Sequence, residues 1–186
     1  MTAPPPAPAG SNTVNPFLLA DGAAALIDFL TEVFVAEDVP EARTLDTDGL
    51  ILHAELRIGD SLLTVADRKP HWPFTPALVR VYVEDVDAVL ARAEKLGGRT
   101  LTRPTDFFGD TLARFQDPAA NLWWVYRHHP DAAQDWLQAP ESDGAAEAWQ
   151  ADGVEDWSSF TTPELEYLHS SLDEALTGLA DPRKAG

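Results

Sequence analysis

Alternation of apolar and polar positions is clearest over His53–Asp67, read as His-Ala-Glu-Leu-Arg-Ile-Gly-Asp-Ser-Leu-Leu-Thr-Val-Ala-Asp. Two period-two runs flank Gly59-Asp60, a dipeptide suited to a two-residue hairpin turn. A turn there pairs Ile58–Ser61, Arg57–Leu62, Leu56–Leu63, Glu55–Thr64, Ala54–Val65 and His53–Ala66. Cross-strand partners share a face, and neighbours along a strand do not. One face then carries Ala54, Leu56, Ile58, Leu63 and Val65 and suits a packed helix. The other carries His53, Glu55, Arg57 and Thr64, a row that reads either as a ligand-binding face or as a solvated surface.

The same pattern occurs twice. An apolar run, Val14 to Ala20, leads through Asp21-Gly22 into Ala23–Val35, where Ala23, Leu26, Ile27, Leu30, Val33 and Phe34 keep helical spacing. Short strands are expected near Ala42–Leu45, Leu50–Ile58 and Ser61–Ala66. The second unit opens with Ala77–Val83 and a helix, Val86–Leu96, whose stripe is Val86, Val89, Leu90 and Ala93 and whose stop is Gly97-Gly98. Strands follow near Arg99–Thr102, Thr111–Gln116 and Leu122–Arg127, with Asp117-Pro-Ala-Ala-Asn121 as the last turn. The pattern therefore predicts an α+β fold: paired βαβββ modules at 14–67 and 77–128 within a domain at 14–130. A Pro/Ala-rich disordered leader (1–13) precedes them. An acidic, Trp-containing extension (131–186) with an amphipathic helix over 163–179 follows.

Composition narrows the class. The chain has 186 residues and a formal net charge of −18, and 13 of its 31 acidic residues fall after residue 130. Such a surface repels phosphate backbones, so nucleic acid is not expected as a partner. No window approaches the roughly 20 apolar residues of a membrane helix, and no membrane partner is expected. The absence of cysteine excludes disulfides and thiol chemistry and agrees with a cytoplasmic location. Leu165, Leu168, Leu172, Ala175, Leu176 and Leu179 form the apolar face of the late helix, capped by Thr161-Thr-Pro-Glu164. That helix is expected to pack in cis or across a dimer, and some of Trp136, Trp149 and Trp157 to dock in grooves.

The order of motifs resembles the vicinal oxygen chelate superfamily (glyoxalases, extradiol dioxygenases and bleomycin-resistance proteins), and most closely its PhnB-type branch. The stretches that carry the likeness are Pro16-Phe-Leu, Asp21–Phe29, His53–Asp60, Val81–Val89, Phe108-Gly-Asp110 and Asp117–Trp123. Ala119-Ala120 departs from the usual bulky residue followed by glycine. The resemblance implies a homodimer, and its metal-dependent members place His or Glu at the start of each module's first strand and near the end of its last. Here those positions fall on Val14, Leu78, Trp124 and, closely, Thr64, which leaves no usable donor set, so no metal and no cofactor is expected. His53 with Glu55 offers two replacement ligands without a third.

Strand alternation places Arg80, Tyr82, Trp124 and Tyr126 on the cavity side of the second module. With His53, Glu55 and Arg57 they would surround one concavity, rimmed by Phe107 and Phe108. Aromatic walls with a few charges suit a small-molecule site, and equally a filled barrel in which Glu55 pairs with Arg57 or Arg80. The expected function is metal-independent binding or sequestration of a small molecule of cationic or aromatic character. A lyase or isomerase using His53 or Glu55 as general base, with Arg80 as electrostatic stabiliser, is the alternative. An interaction module acting through the acidic tail is the third. His128-His129 reads as a solvated exit, and His71-Trp-Pro-Phe74 as an inter-module linker that buries its own aromatics.

Overall fold

The computed structural model describes residues 7–8, 10–130 and 162–184. The first module comprises β1 (Phe17–Ala20), α1 (Ala23–Phe34), β2 (Glu37–Leu45), β3 (Ile51–Ile58) and β4 (Ser61–Asp67). The second comprises β5 (Leu78–Tyr82), α2 (Val86–Lys95), β6 (Arg99–Phe107), β7 (Asp110–Gln116) and β8 (Leu122–Arg127). After them come α3 (Pro163–Thr177) and a 3-10 turn, Pro182–Lys184. The sheets run β1-β4-β3-β2 and β5-β8-β7-β6. In each, the first strand is an edge that pairs in parallel with the last. This is the α+β fold of paired βαβββ modules that the pattern predicts.

The hairpin register follows from its turn. Gly59 takes φ +58, and the pairs from Ile58↔Ser61 to Ala54↔Val65 form as expected. The ladder stops at Ala54, so His53 pairs with Thr44 of β2 rather than with Ala66. β2 and β6 extend past the strands expected there, through register breaks at Val39/Thr44 and Thr102/Thr105. Pro40 and Pro104 lie inside those breaks, where a missing N–H costs no ladder bond. α2 is capped by Asp85, whose Oδ1 accepts from the Ala88 amide at 2.9 Å. α1 lacks a side-chain cap of its own, and instead the Ala23 amide donates to Asp67 Oδ1 at 2.7 Å.

Helix-facing rows of both sheets merge into one core, with Leu56, Val65, Phe115, Trp123 and Val125 at or near zero exposure. α1 packs on α2 and reaches the second sheet, Phe34 lying 5.0 Å from Trp123 and Phe29 6.2 Å from Phe115. The two modules thus join through their helical sides, and the opposite faces of both sheets point away from the common core.

The final turn keeps its form despite Ala120. That residue adopts φ +67, where an L side chain is strained. The buried Asp117 carboxylate holds the loop, accepting from the Asn121 amide, Asn121 Nδ2 and Trp123 Nε1, each at 2.9 Å. Burial pushes the Asp117 pKa up.

The described part of the leader is anchored. Asn12 Oδ1 accepts from the Leu62 amide at 3.0 Å, and Arg57 Nη1 donates to the Gly10 carbonyl at 2.7 Å. α3 packs in cis against β6. Its tail then clips the first module: Arg68 makes a two-pronged pair with Asp181 at 2.6 and 2.9 Å, and Arg183 donates to Asp21 at 2.8 Å. No described helix is long and apolar enough to cross a membrane. The docking expected of Trp136, Trp149 and Trp157, and the recruiting role of the acidic tail, lie outside the described residues.

Candidate functional site

On the first sheet the outer row is partly open. His53 Nε2 and Glu55 Oε1 are 3.2 Å apart, both half-buried, and Arg57 is engaged by Gly10. Glu55 lies opposite Thr64, which in turn registers with Phe17 on the edge strand, 59% exposed.

The second sheet presents three aligned rows. Leu78, Arg80 and Tyr82 of β5 register with Leu122, Trp124 and Tyr126 of β8. These oppose Gln116, Arg114 and Leu112 of β7. Both charged members of that grid are arginines. The Arg80 guanidinium sits 4.6 Å above the Tyr126 ring and donates to its hydroxyl at 3.3 Å. Tyr82 lies 5.4 Å from Tyr126, and Phe107 meets Tyr126 edge-on at 6.2 Å and Phe108 at 4.9 Å. Tyr82, 57% exposed, stands between two clefts. One, of about 430 Å³, is bounded by Glu84, Arg127 and His128. The other, of about 370 Å³, lies against Val14, Ile58, Leu63 and Arg80.

Trp124 and Tyr126 lie on this face, as alternation predicts, and α3 packs over them. Leu165 and Leu168 of α3 pack on Leu112 and Tyr126, with Phe107 and Trp124 beside them. Thr102 and Ser171 share a buried hydrogen bond of 2.8 Å, and Tyr167 Oη accepts from the Arg103 amide at 2.9 Å. A helical stripe announces that one face will be buried without naming the surface that buries it.

The expected residues therefore fall into two groups. Arg80, Tyr82, Phe107, Phe108, Trp124 and Tyr126 gather on the second sheet, while His53, Glu55 and Arg57 gather on the first. The two groups lie on different sheets, because the modules meet through their helices. Glu55 pairs with His53 and not with Arg57 or Arg80. His128 and His129 serve as ties, binding Asp110 through the His128 ring at 2.8 Å and the His129 amide at 3.1 Å. In the linker, Phe74 sits beneath Arg68, 5.5 Å from its guanidinium carbon.

Arg114 was not among the expected residues. Its alternation with Leu112 and its place opposite Trp124 are the signals that mark it. It is 6% exposed, its Nη1 donates to Thr102 Oγ1 at 3.2 Å and to the Leu168 carbonyl at 2.8 Å, and its buried Nε has no partner among the described residues. Burial lowers its pKa, against the opposing effect of Tyr126 and Tyr167.

The residues do not fit the divalent cation that metal-dependent relatives carry. Val14 precedes β1 and is exposed, Leu78 and Trp124 have no donor for such an ion, and Thr64 is a weak one. Among the described residues no three His, Cys, Asp or Glu side chains are grouped so that they could hold a metal ion.

The sequence model of the Glyoxalase/Bleomycin resistance protein/Dioxygenase superfamily matches residues 14–125. Uncharacterised proteins of Mycobacterium bovis and Mycobacterium tuberculosis are 29% identical over 141 aligned residues, which cover 69% of this chain and 91% and 82% of theirs. TioX from Micromonospora sp. ML1 superposes with a TM-score of 0.50 at 23% identity, over 62% of this chain and 99% of its own. A Burkholderia phytofirmans glyoxalase/bleomycin resistance protein/dioxygenase family enzyme gives 0.51 at 15% identity, over 60% of this chain and 94% of its own. These structures share the fold. The family match ends at residue 125, so α3 lies outside it.

Proposed function

The chain belongs to the glyoxalase/bleomycin resistance protein/dioxygenase superfamily, and from that premise we propose that it binds or sequesters a small molecule without a metal. The observation that carries this reading is the pairing of a donor-poor strand register with an aromatic, arginine-bearing grid on the second sheet. The ligand favoured by that grid is aromatic. The cationic alternative raised by the acidic composition has less support there, since Arg80 and Arg114 are its charged side chains. The finer placement is the PhnB-type branch, on the motif order set out above. We further propose a cytoplasmic homodimer: exposed Phe17, Leu78 and Tyr82 lie on the unpaired edge strands β1 and β5, apolar surface that a second copy would cover.

Native mass spectrometry of the untagged protein tests this directly. A retained organic mass that survives chelator treatment supports the reading, and a mass lost with a chelated metal overturns it. One observation favours a second reading. The His53–Glu55 contact of 3.2 Å is a half-buried, base-like pair, suited to a lyase or isomerase. Under that reading His53→Ala and Glu55→Gln abolish turnover while ligand binding persists.

A further inference from the structure

The strongest anomaly among the described residues is a buried charge without a counter-charge. Arg114 is buried beneath α3 and, among the described residues, touches no carboxylate; its acceptors there are a hydroxyl and the Leu168 main-chain carbonyl. A buried guanidinium costs several kcal/mol unless an anion and a full set of acceptors compensate it. Here the Nε–H has no acceptor among the described residues. Around it stand Trp124, with its ring 5.4 Å from the guanidinium carbon, and Tyr126. On the helix side stand the Leu165 and Leu168 side chains, the Leu168 carbonyl, the Ser171 hydroxyl bonded to Thr102, and Tyr167, which acts electrostatically on Arg114. An aromatic body with a carboxylate offers apolar surface in place of Leu165 and Leu168 and anionic oxygens in place of the Leu168 carbonyl. The carboxylate adds the charge and the two-pronged geometry that the carbonyl lacks.

We propose that the face under α3 is a binding site for an aromatic carboxylate anchored by Arg114, and that α3 is its resident occupant, displaced when the ligand enters. This rests on the small-molecule reading above and names the ligand class and the control of that site. Because the helix must leave first, apparent affinity falls with the closed fraction, and weakening the helix contact strengthens ligand binding.

The test uses the full chain with 1-naphthoate, its neutral analogue 1-naphthamide and the cation 1-naphthylmethylamine, followed by calorimetry and by hydrogen exchange over residues 163–177. Naphthoate is expected to bind preferentially and to raise exchange in α3. Arg114→Met weakens it about tenfold or more without loosening α3, whereas an arginine that merely anchors the helix would loosen it. Leu165→Ala tightens naphthoate binding. The chain has no cysteine, so Thr102→Cys with Ser171→Cys supplies a clean staple at a site where the native hydroxyls are 2.8 Å apart. Oxidation is expected to block binding and reduction to restore it. Equal binding of naphthoate and naphthamide, indifference to the staple, or weaker binding by Leu165→Ala would each overturn the proposal. If the amide or amine binds regardless of Arg114, small-molecule binding stands and the anion site falls. If none of the three binds the native chain or Leu165→Ala, both fall.

Discussion

On the first sheet His53, Glu55 and Thr64 are only half-buried, whereas on the second Arg114 and Tyr126 are almost fully enclosed beneath α3. Thr64 and Trp124 occupy equivalent places, each paired in parallel with an edge-strand residue, Phe17 and Arg80 respectively. Equivalent backbone positions thus meet different surroundings, and the difference comes from a helix that follows the second module by more than thirty residues. Period-two alternation decides which way a side chain points. What then covers it is decided by another element, and here that element lies outside the shared fold.

The comparison can be broken most forcefully at the helix contact. Leu168→Ala is expected to cost about 2–5 kcal/mol of α3 docking, while Thr64→Ala on the open face costs less than about 0.5 kcal/mol. Denaturant unfolding together with hydrogen exchange over α3 measures both. A similar cost at the two sites would mean that the faces do not differ.

The tail clip gives an acid-sensitive handle on the attachment of the chain that follows α3 to the first module. The hydrogen bonds from Arg68 hold the Asp181 carboxyl down at about 2, below the ordinary 3.8. A lowered carboxylate pKa stabilises the fold above the ordinary value and loses that contribution as pH falls through the folded one. Attachment of residues 178–184 is therefore expected to weaken as pH drops from about 4 towards 2. Asp181→Asn should remove the pH dependence, and amide signals of β3 should not follow it. A transition at neutral pH would contradict the clip.

Ligand affinity sharpens the contrast further. Arg80→Ala removes the guanidinium stacked on Tyr126 and should weaken an aromatic ligand by about 1–2 kcal/mol, with Arg57→Ala near neutral. The smallest effect is expected at Glu55. Its partly exposed contact with His53 predicts less than about 0.5 kcal/mol for Glu55→Gln in thermal unfolding.

Much of this architecture was legible in the chain. The His53–Asp67 hairpin could be read to the residue because a two-residue turn at Gly59-Asp60 leaves one register that buries Leu56 and Val65. Helix α2 is legible in the stripe Val86, Val89, Leu90 and Ala93 and in Gly97 after its end. β2 and β6 were read too short, since a proline within a run argues against a strand until a bulge absorbs it. The sidedness of Arg80, Trp124 and Tyr126 was legible, and the covering of the last two was not. Arg114 escaped attention because an arginine in a strand is ordinarily solvent-facing, and only α3 makes this one buried. The assembly of both modules around one concavity was an inference about module packing, which alternation within a strand does not encode.

The most direct test is an NMR titration of the chelator-treated full chain with 1-naphthoate, following the Trp124 indole and the Thr64 amide. The account predicts that the Trp124 signal shifts, that Thr64 stays in place, and that adding Zn²⁺ changes neither response. Shifts confined to Thr64 and His53, or shifts that appear only once Zn²⁺ is restored, would contradict it.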